Sequence, residues 1–319
     1  DLDGDGVGDL VVGAAGEPGV PGAVVALSGA EGSVLWRQAL ERGGVRLPWW
    51  ASVPSPAVAR VRDVDRDGRP DLLVGLALAG RLGELAQTGR LCLLSGSSGA
   101  SLAERWGERA GERLGVAVVA VGDVDGDGLV DAAVSSVPRA QDGGLPAPSS
   151  VRLVSGADLA TLVERVDAGG RLGLALGAVG DRDDDGLPDL VASAPFTADA
   201  AASPVRILSG RDLSALSDVR ERGGPSFGVS LGRRGPQLGP PRGLLVAAPR
   251  SLAPGGGAGA WWLPARGEGR LALSGCNTVH EGEVCGALGD SHFGVALAEL
   301  GDLTGDGVVD LAVGSASLR

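Results

Sequence analysis

The stretch Asp123-Val-Asp-Gly-Asp-Gly-Leu-Val-Asp131 places four carboxylates and two glycines within nine residues. Related stretches begin at Asp1, Asp63, Asp181 and Asp302. Successive copies are separated by 62, 60, 58 and 121 residues, and the last interval is two periods. A degenerate copy without any aspartate lies midway through that interval, at residues 236–243. A repeat of about 60 residues indicates an architecture built from one supersecondary unit used many times.

The segments around each loop predict strands. A short alternating segment precedes the loop, as in residues 114–122, and an apolar run follows it, as in residues 72–75. A third segment ends in Ser-Gly, as in residues 151–156, and a more polar fourth segment follows, as in residues 33–37. Such short runs bounded by Gly, Pro or Asp are typical of β-strands. Four antiparallel strands per repeat predict the blade of a β-propeller.

The repeats divide the whole chain, 1–319, which we predict to be one all-β propeller domain. The predicted repeats are 1–62, 63–122, 123–180, 181–235, 236–301 and a partial copy at 302–319. Residues 158–165 fit a helix or a strand by periodicity, and we favour a strand because their counterpart at 33–37 is short and β-branched. In the fifth repeat, residues 261–263 match the third strand and residues 271–273 the fourth.

The strand count predicts an incomplete ring. The chain opens at a loop, so its first repeat has three predicted strands, and its last repeat has two. With four repeats of four strands between them, the prediction is 21 strands, or about five blades and a partial sixth. We expect the chain to be a processed or excised piece, since it has no Met and no signal peptide.

The aspartate loops predict calcium sites. Four like charges in nine residues are unfavourable without a cation, and they supply the oxygen ligands that Ca²⁺ prefers. Glycine at position 6 permits the sharp turn around an ion. The predicted carboxylate ligands are Asp1, Asp3, Asp5 and Asp9; Asp63, Asp65, Asp67 and Asp71; Asp123, Asp125, Asp127 and Asp131; Asp181, Asp183, Asp185 and Asp189; and Asp302, Asp306 and Asp310, with Thr304 in place of one aspartate. The predicted backbone-carbonyl ligands at position 7 are Val7, Arg69, Leu129, Leu187 and Val308.

Other interpretations of these loops fit less well. An EF-hand needs a glutamate at position 12, where this chain has only Val or Ala, and it needs flanking helices. Mg²⁺ keeps several waters and rarely uses an all-protein cage. The remaining alternative is that the loops are solvated acidic turns without an ion.

The motifs around the loops resemble the FG-GAP repeat of integrin α-subunit propellers. Phe-Gly stands before the loop position at residues 227–228 and 293–294, and Ser-Ala-Pro and Ala-Ala-Pro follow it at 193–195 and 247–249. The second repeat has Ser-Pro-Ala-Val at 55–58 where Phe-Gly is expected, and the fifth repeat has no metal loop.

The resemblance implies a seven-bladed propeller with structural Ca²⁺ between the first two strands of a blade. It also implies an adhesion or ligand-binding module, outside the cell or on its surface, with a protein or glycan partner and no enzymatic activity. Arginine without lysine suggests a GC-rich bacterial source, where such repeats occur in secreted proteins. The alternatives are a lectin, and a propeller of a secreted polysaccharide lyase or lipase-type enzyme.

Composition sets further limits. The net charge of −12 argues against nucleic-acid binding through a broad basic surface, and no apolar run is long enough to span a membrane. We predict that residues 105–113, where arginine and glutamate alternate, form a solvated loop. No phosphate loop or nucleophile elbow is present.

Cysteine and tryptophan offer the remaining candidates. Cys276 and Cys285 bracket a polar segment and suit a disulfide, with free thiols or a zinc site with His280 and His292 as alternatives. Cys92 is expected in the core. Trp49, Trp50, Trp261 and Trp262 could stack on sugar rings or anchor a partner, or they could pack at a blade edge.

Overall fold

The computed structural model describes residues 1–14, 22–39, 57–79, 87–138, 147–169, 171–194, 205–219, 228, 230–233, 243–248, 259–264, 271–273, 292–301 and 310–316. These residues belong to two compact units, which we call the N-terminal unit, Asp1–Gly173, and the C-terminal unit, Leu174–Arg319. Each unit is described by itself below.

The N-terminal unit contains eleven described strands in three antiparallel sheets. The first sheet has three strands, β1 (Leu10–Ala14), β2 (Ala23–Leu27) and β3 (Val34–Ala39). The second has four, β4 (Ala57–Arg60), β5 (Leu72–Leu76), β6 (Arg90–Leu94) and β7 (Ser101–Trp106). The third also has four, β8 (Leu114–Gly122), β9 (Asp131–Ser136), β10 (Ser149–Val154) and β11 (Thr161–Asp167).

The C-terminal unit contains ten described strands, again in three antiparallel sheets. Its first sheet has β12 (Leu176–Gly180), β13 (Asp189–Ser193), β14 (Val205–Leu208) and β15 (Ala215–Val219). Its second has β16 (Ser230–Arg233), β17 (Gly243–Ala248), β18 (Gly259–Pro264) and β19 (Leu271–Leu273). A two-stranded sheet of β20 (His292–Gly301) and β21 (Asp310–Ala316) follows.

Every sheet is a meander in which consecutive strands are neighbours. The described strands therefore group as the repeat predicts, as three, four sets of four, and two. The preference for a strand at 158–165 is confirmed by β11, and β18 and β19 take the predicted third and fourth places. The arrangement is all-β and consistent with a β-propeller-like one, and no sheet of the described residues closes on itself.

The cores of the N-terminal unit lie between successive sheets, because alternate side chains of a strand point to opposite faces. On β5, Leu72 and Val74 join a cluster with Val24 and Trp36 of the first sheet. Leu73, between them, joins a cluster that includes Leu114 and Val134 of the third sheet. All of these side chains are buried. The second sheet is thus covered on both faces, which explains why β5 is apolar throughout and β6 is apolar after Arg90.

Glycine allows the second and third sheets to approach closely. A Cβ atom on Gly75 of β5 would lie 2.4 Å from the carbonyl oxygen of Gly115 on β8. Gly115 has φ 91°, and the equivalent Gly173 and Gly228 have φ 95° and 86°. These three glycines follow Leu114, Leu172 and Phe227, so a Leu-Gly or Phe-Gly pair marks a left-handed backbone position in each of three repeats.

The solvated loop predicted at 105–113 is wrong in part. Glu108, Arg109 and Ala110 are exposed, but Glu112 is only 6% exposed. Its carboxylate accepts hydrogen bonds from Arg152 Nη1 at 2.6 Å and from the backbone N–H groups of Glu108 and Arg109. Burial alone would raise the pKa of Glu112, but these hydrogen bonds and the Arg152 charge outweigh it, and the pKa lies below its ordinary value.

The described part of the chain has no helix with the length and apolar character that a membrane crossing requires.

Candidate metal centres

Four of the five predicted aspartate loops lie in the described residues, and they lead directly into β1, β5, β9 and β13. We number their residues 1 to 9, beginning at Asp1, Asp63, Asp123 and Asp181. Position 6 is glycine in all four loops, with φ between 85° and 91°. Position 4 also adopts a positive φ, 87° and 83° at Gly4 and Gly126 and 62° at both Arg66 and Asp184. The loops thus share one backbone conformation although position 4 varies.

The carboxylates at positions 3 and 5 stabilise this conformation with short-range hydrogen bonds. At position 3, the Oδ1 atom accepts the N–H of position 5, at 3.0 Å in the first loop and 3.1 Å in the third. At position 5, the Oδ1 atom accepts the N–H of position 7, at 2.7 Å in both of these loops. Turns of this kind are a common use of aspartate. In each of these carboxylates the hydrogen bond uses Oδ1, so Oδ2 takes no part in the turn.

The position-1 carboxylate holds the middle of the loop. Asp123 accepts the N–H of Gly126 at 2.7 Å and that of Gly128 at 2.9 Å. Asp63 accepts the N–H of Asp67 at 3.0 Å and that of Gly68 at 2.8 Å. One carboxylate therefore accepts hydrogen bonds from two backbone N–H groups of its own loop, and the loop closes around it.

The position-9 carboxylate ties the loop to the turn after the third strand. In the third loop, Oδ2 of Asp131 accepts the N–H of Val124 at 2.7 Å, and Oδ1 accepts the N–H of Gly156 at 2.9 Å. Gly156 belongs to a Ser-Gly pair, and the same bond joins Asp9 to Gly29, Asp71 to Gly96 and Asp189 to Gly210. This second role of position 9 is missed by sequence reasoning, although the fixed pairing of an Asp loop with a Ser-Gly segment in these four repeats is its signal.

Burial changes the acidity of position 9. Asp71, Asp131 and Asp189 have no exposed surface. Loss of hydration raises the pKa of each of these three carboxyl groups, and the backbone hydrogen bonds only partly offset it. Asp9 is less buried, and its hydrogen bonds from Leu2 and Gly29 lower its pKa. A buried carboxylate of this kind is stabilised by a nearby positive charge.

Carboxylate oxygens converge in all four described loops. Three carboxylates in each loop bring one oxygen apiece within 4.8 Å of one another. In the first and third loops the three come from positions 1, 3 and 5, namely Asp1, Asp3 and Asp5, and Asp123, Asp125 and Asp127. In the second and fourth loops they come from positions 1, 3 and 9, namely Asp63, Asp65 and Asp71, and Asp181, Asp183 and Asp189. The predicted ligands are thus brought together, but not in the same combination everywhere.

Two arginines lie against loop carboxylates among the described residues. Arg69 Nη1 is 3.6 Å from Asp1 Oδ1, and its Nη2 donates to the Asp3 carbonyl oxygen at 3.0 Å. Arg211 Nε donates to Asp185 Oδ2 at 2.8 Å, and its Nη2 donates to the Asp185 carbonyl oxygen at 2.9 Å. Both guanidinium groups place a positive charge beside loop carboxylates and partly balance their negative charge, so these loops favour a cation.

The donor set fits a hard cation. Ca²⁺ takes six to eight oxygen ligands, commonly carboxylates and backbone carbonyls. Each described loop offers three converging carboxylates, and position 7, whose carbonyl is a predicted ligand, is held by a hydrogen bond from its N–H to the position-5 carboxylate. Sulfur and imidazole ligands are missing from the four loops, so a softer metal would find no preferred ligand there.

The other predicted site residues lie outside what the structure describes. In the fifth loop, Asp302, Thr304, Asp306 and Val308 are outside the described residues, and Asp310 opens β21. Trp49, Trp50, Cys276, Cys285 and His280 are also outside them. Trp261 and Trp262 lie on β18, where their Cα partners on β17 are Val246 and Leu245. Cys92 is buried on β6, as predicted.

No protein-family profile matches this sequence. No curated protein matches it either. Among solved structures, it is similar to a Bacillus licheniformis rhamnogalacturonan lyase, with a TM-score of 0.43 and 14% sequence identity. The match covers 87% of this chain and 57% of the lyase, so the chain spans a little over half of the lyase's length. Membership of the FG-GAP family stays a prediction from the motifs.

Proposed function

We propose that this chain is a calcium-binding β-propeller in which each aspartate loop holds one structural Ca²⁺. The observation that carries the proposal is the convergence of three carboxylate oxygens within 4.8 Å in every described loop. Like charges so close together repel strongly, and a divalent cation removes that cost and gains the attraction of all three.

The wider role that we propose is a binding module. The motif resemblance supports an adhesion or ligand-binding propeller, working outside the cell or on its surface, with a protein or glycan as partner. In this proposal the ions are structural, because the second, third and fourth loops each join two neighbouring strands of a sheet, and position 9 of each accepts a hydrogen bond from the Ser-Gly turn after the next strand.

Calcium removal tests the metal half of the proposal. We expect CaCl₂ to raise the Tm of the EDTA-treated protein by several degrees and EDTA to reverse the change, measured by differential scanning calorimetry. A site saturated a hundredfold above its dissociation constant contributes about 2.7 kcal/mol to the free energy of unfolding. MgCl₂ should give a smaller shift, because Mg²⁺ demands octahedral geometry and retains water.

Two matched substitutions locate the effect. Asp125→Asn keeps the oxygen that accepts the N–H of Asp127 and removes one converging charge. Asp158→Asn changes another exposed aspartate whose Oδ1 also accepts the N–H two residues on, at 2.8 Å, but which lies outside the loops. Asp125→Asn should reduce the calcium-dependent gain in Tm, whereas Asp158→Asn should leave it unchanged. Equal Tm values in calcium and in EDTA for the unmodified protein would contradict the proposal.

A further inference from the structure

The residue after each Ser-Gly pair differs between repeats. Because position 9 binds the glycine of this pair, the next residue lies beside the loop. In the four described repeats it is Ala30, Ser97, Ala157 and Arg211, in chain order. Alanine has no side-chain donor, whereas serine and arginine have one.

Where this residue can donate, it binds the position-5 carboxylate. The Ser97 hydroxyl donates to Asp67 Oδ2, and Arg211 Nε donates to Asp185 Oδ2 at 2.8 Å. These are the two loops in which position 5 is missing from the converging set and position 9 replaces it. In the first and third loops, where the residue is alanine, position 5 belongs to the set.

The charge of Arg211 makes the fourth loop a special case. Its guanidinium also binds the Asp185 carbonyl, so it holds position 5 at two points. A bound Ca²⁺ and this guanidinium would compete for the same carboxylate and repel each other. In the third loop, the described arginine contact is from Arg62 to the Gly128 carbonyl, at 3.4 Å, and no described arginine contacts a carboxylate there.

We propose that the residue after Ser-Gly sets the calcium affinity of its loop, and that Arg211 acts as a built-in counter-cation. This rests on the proposed calcium binding. The third loop, with Ala157, binds Ca²⁺ more tightly, and the fourth loop binds it more weakly but keeps its shape without the ion. The first loop is left out of the comparison because Arg69 lies against Asp1.

Reciprocal substitutions test this assignment with one reporter in each loop. The N–H groups of Gly128 and Gly186 donate to Asp123 and Asp181, at 2.9 and 3.0 Å, so their amide resonances report on the third and fourth loops separately. The probe is CaCl₂, added to the EDTA-treated protein and followed by ¹H–¹⁵N NMR. In the unmodified protein we expect the Gly128 signal to respond at a lower calcium concentration than the Gly186 signal.

Arg211→Ala should lower the midpoint at Gly186 by about threefold or more, the scale of an exposed ion pair. Ala157→Arg, at an exposed position, should raise the midpoint at Gly128 by a similar factor. Arg206→Ala is the control, because it removes an arginine of the same repeat that faces Asp218 instead of the loop. It should leave both midpoints unchanged.

The outcomes separate the two proposals. If both glycine signals respond to calcium but Arg211→Ala and Ala157→Arg leave the midpoints unchanged, the tuning by this residue is wrong while the calcium proposal stands. If neither signal responds in the unmodified protein, both proposals fail. If Ala157→Arg folds poorly, the calcium midpoint of the Gly186 signal in Arg211→Ala tests the proposal by itself.

Discussion

Glycine has two distinct roles in this chain, which differ in the atoms that an added Cβ atom would contact. Gly115 and Gly128 have nearly the same φ, 91° and 90°. A Cβ on Gly115 would lie 2.8 Å from the Gly75 Cα atom, whereas a Cβ on Gly128 would meet nothing within 4 Å. The first glycine is required by packing and by conformation, and the second by conformation alone.

Alanine substitutions separate these costs. Gly128→Ala should lower the free energy of unfolding by about 1–2 kcal/mol, the cost of a left-handed residue with a Cβ. Gly115→Ala should cost about 1–3 kcal/mol more, because neighbouring backbone must move to make room. Urea unfolding in EDTA, followed by tryptophan fluorescence, measures both without a calcium contribution. If the two variants lose the same free energy of unfolding, the second and third sheets have room to separate at Gly115.

The loop residues show how far sequence reasoning reaches at this scale. The turn at position 6 follows from an unvarying glycine. The positive φ at position 4 could not be predicted in the same way, because Arg66 and Asp184 occupy it in two loops. Nor does the spacing reveal which three carboxylates converge, since the set differs in the two loops that Ser97 and Arg211 contact, and these residues are 30 and 26 residues from the carboxylates they bind.

At the scale of the strand, β1 has an edge to which no described strand pairs, although its counterpart β5 has β4 there. The exposures of equivalent side chains reflect this difference. Leu10 is 57% exposed and its equivalent Leu72 is 3% exposed, and Val12 and Val74 are 41% and 0% exposed.

Lysine substitutions should therefore lower the free energy of unfolding very little on β1 and strongly on β5. Leu10→Lys should change the free energy of unfolding by less than about 0.5 kcal/mol, since lysine is common on sheet edges. Leu72→Lys should cost about 3 kcal/mol or more, because it removes a core side chain and places a charge between two sheets. Thermal unfolding of the two variants gives the comparison. A large loss from Leu10→Lys would show that this edge is covered in solution.

Strands were the most predictable elements because each carries its own evidence in a short apolar run between turn residues. The turn at 107–113 was less predictable. Alternating Arg and Glu usually indicates a solvated segment, but Glu112 is buried because Arg152, 40 residues later on β10, provides a matching charge. A long-range partner of this kind leaves no local pattern in the sequence.

At the scale of the whole molecule, the charge of −12 is concentrated in the loops. The predicted ligand set of the five aspartate loops comprises 19 of the 40 acidic residues, which leaves 21 acidic residues to face 28 arginines. Without these 19 carboxylates the chain is therefore positive by seven formal charges, so the acidity belongs mainly to the proposed metal sites. An acidic pI usually argues against anionic partners, but that argument weakens once the loops are neutralised.

Electrophoretic mobility tests this distribution of charge directly. Each bound Ca²⁺ adds two positive charges, so five ions would change the formal net charge from −12 to −2. We expect the mobility toward the anode at pH 7 to fall severalfold in CaCl₂ relative to MgCl₂ of the same ionic strength, measured by capillary electrophoresis. Matching the ionic strength is necessary because screening alone slows a charged protein. Asp125→Asn should show a smaller calcium-dependent change than Asp158→Asn, since the two variants have equal charge and differ only in whether a loop is damaged. Identical mobilities in the two salts would mean that the carboxylates remain balanced by diffuse counterions instead of bound calcium.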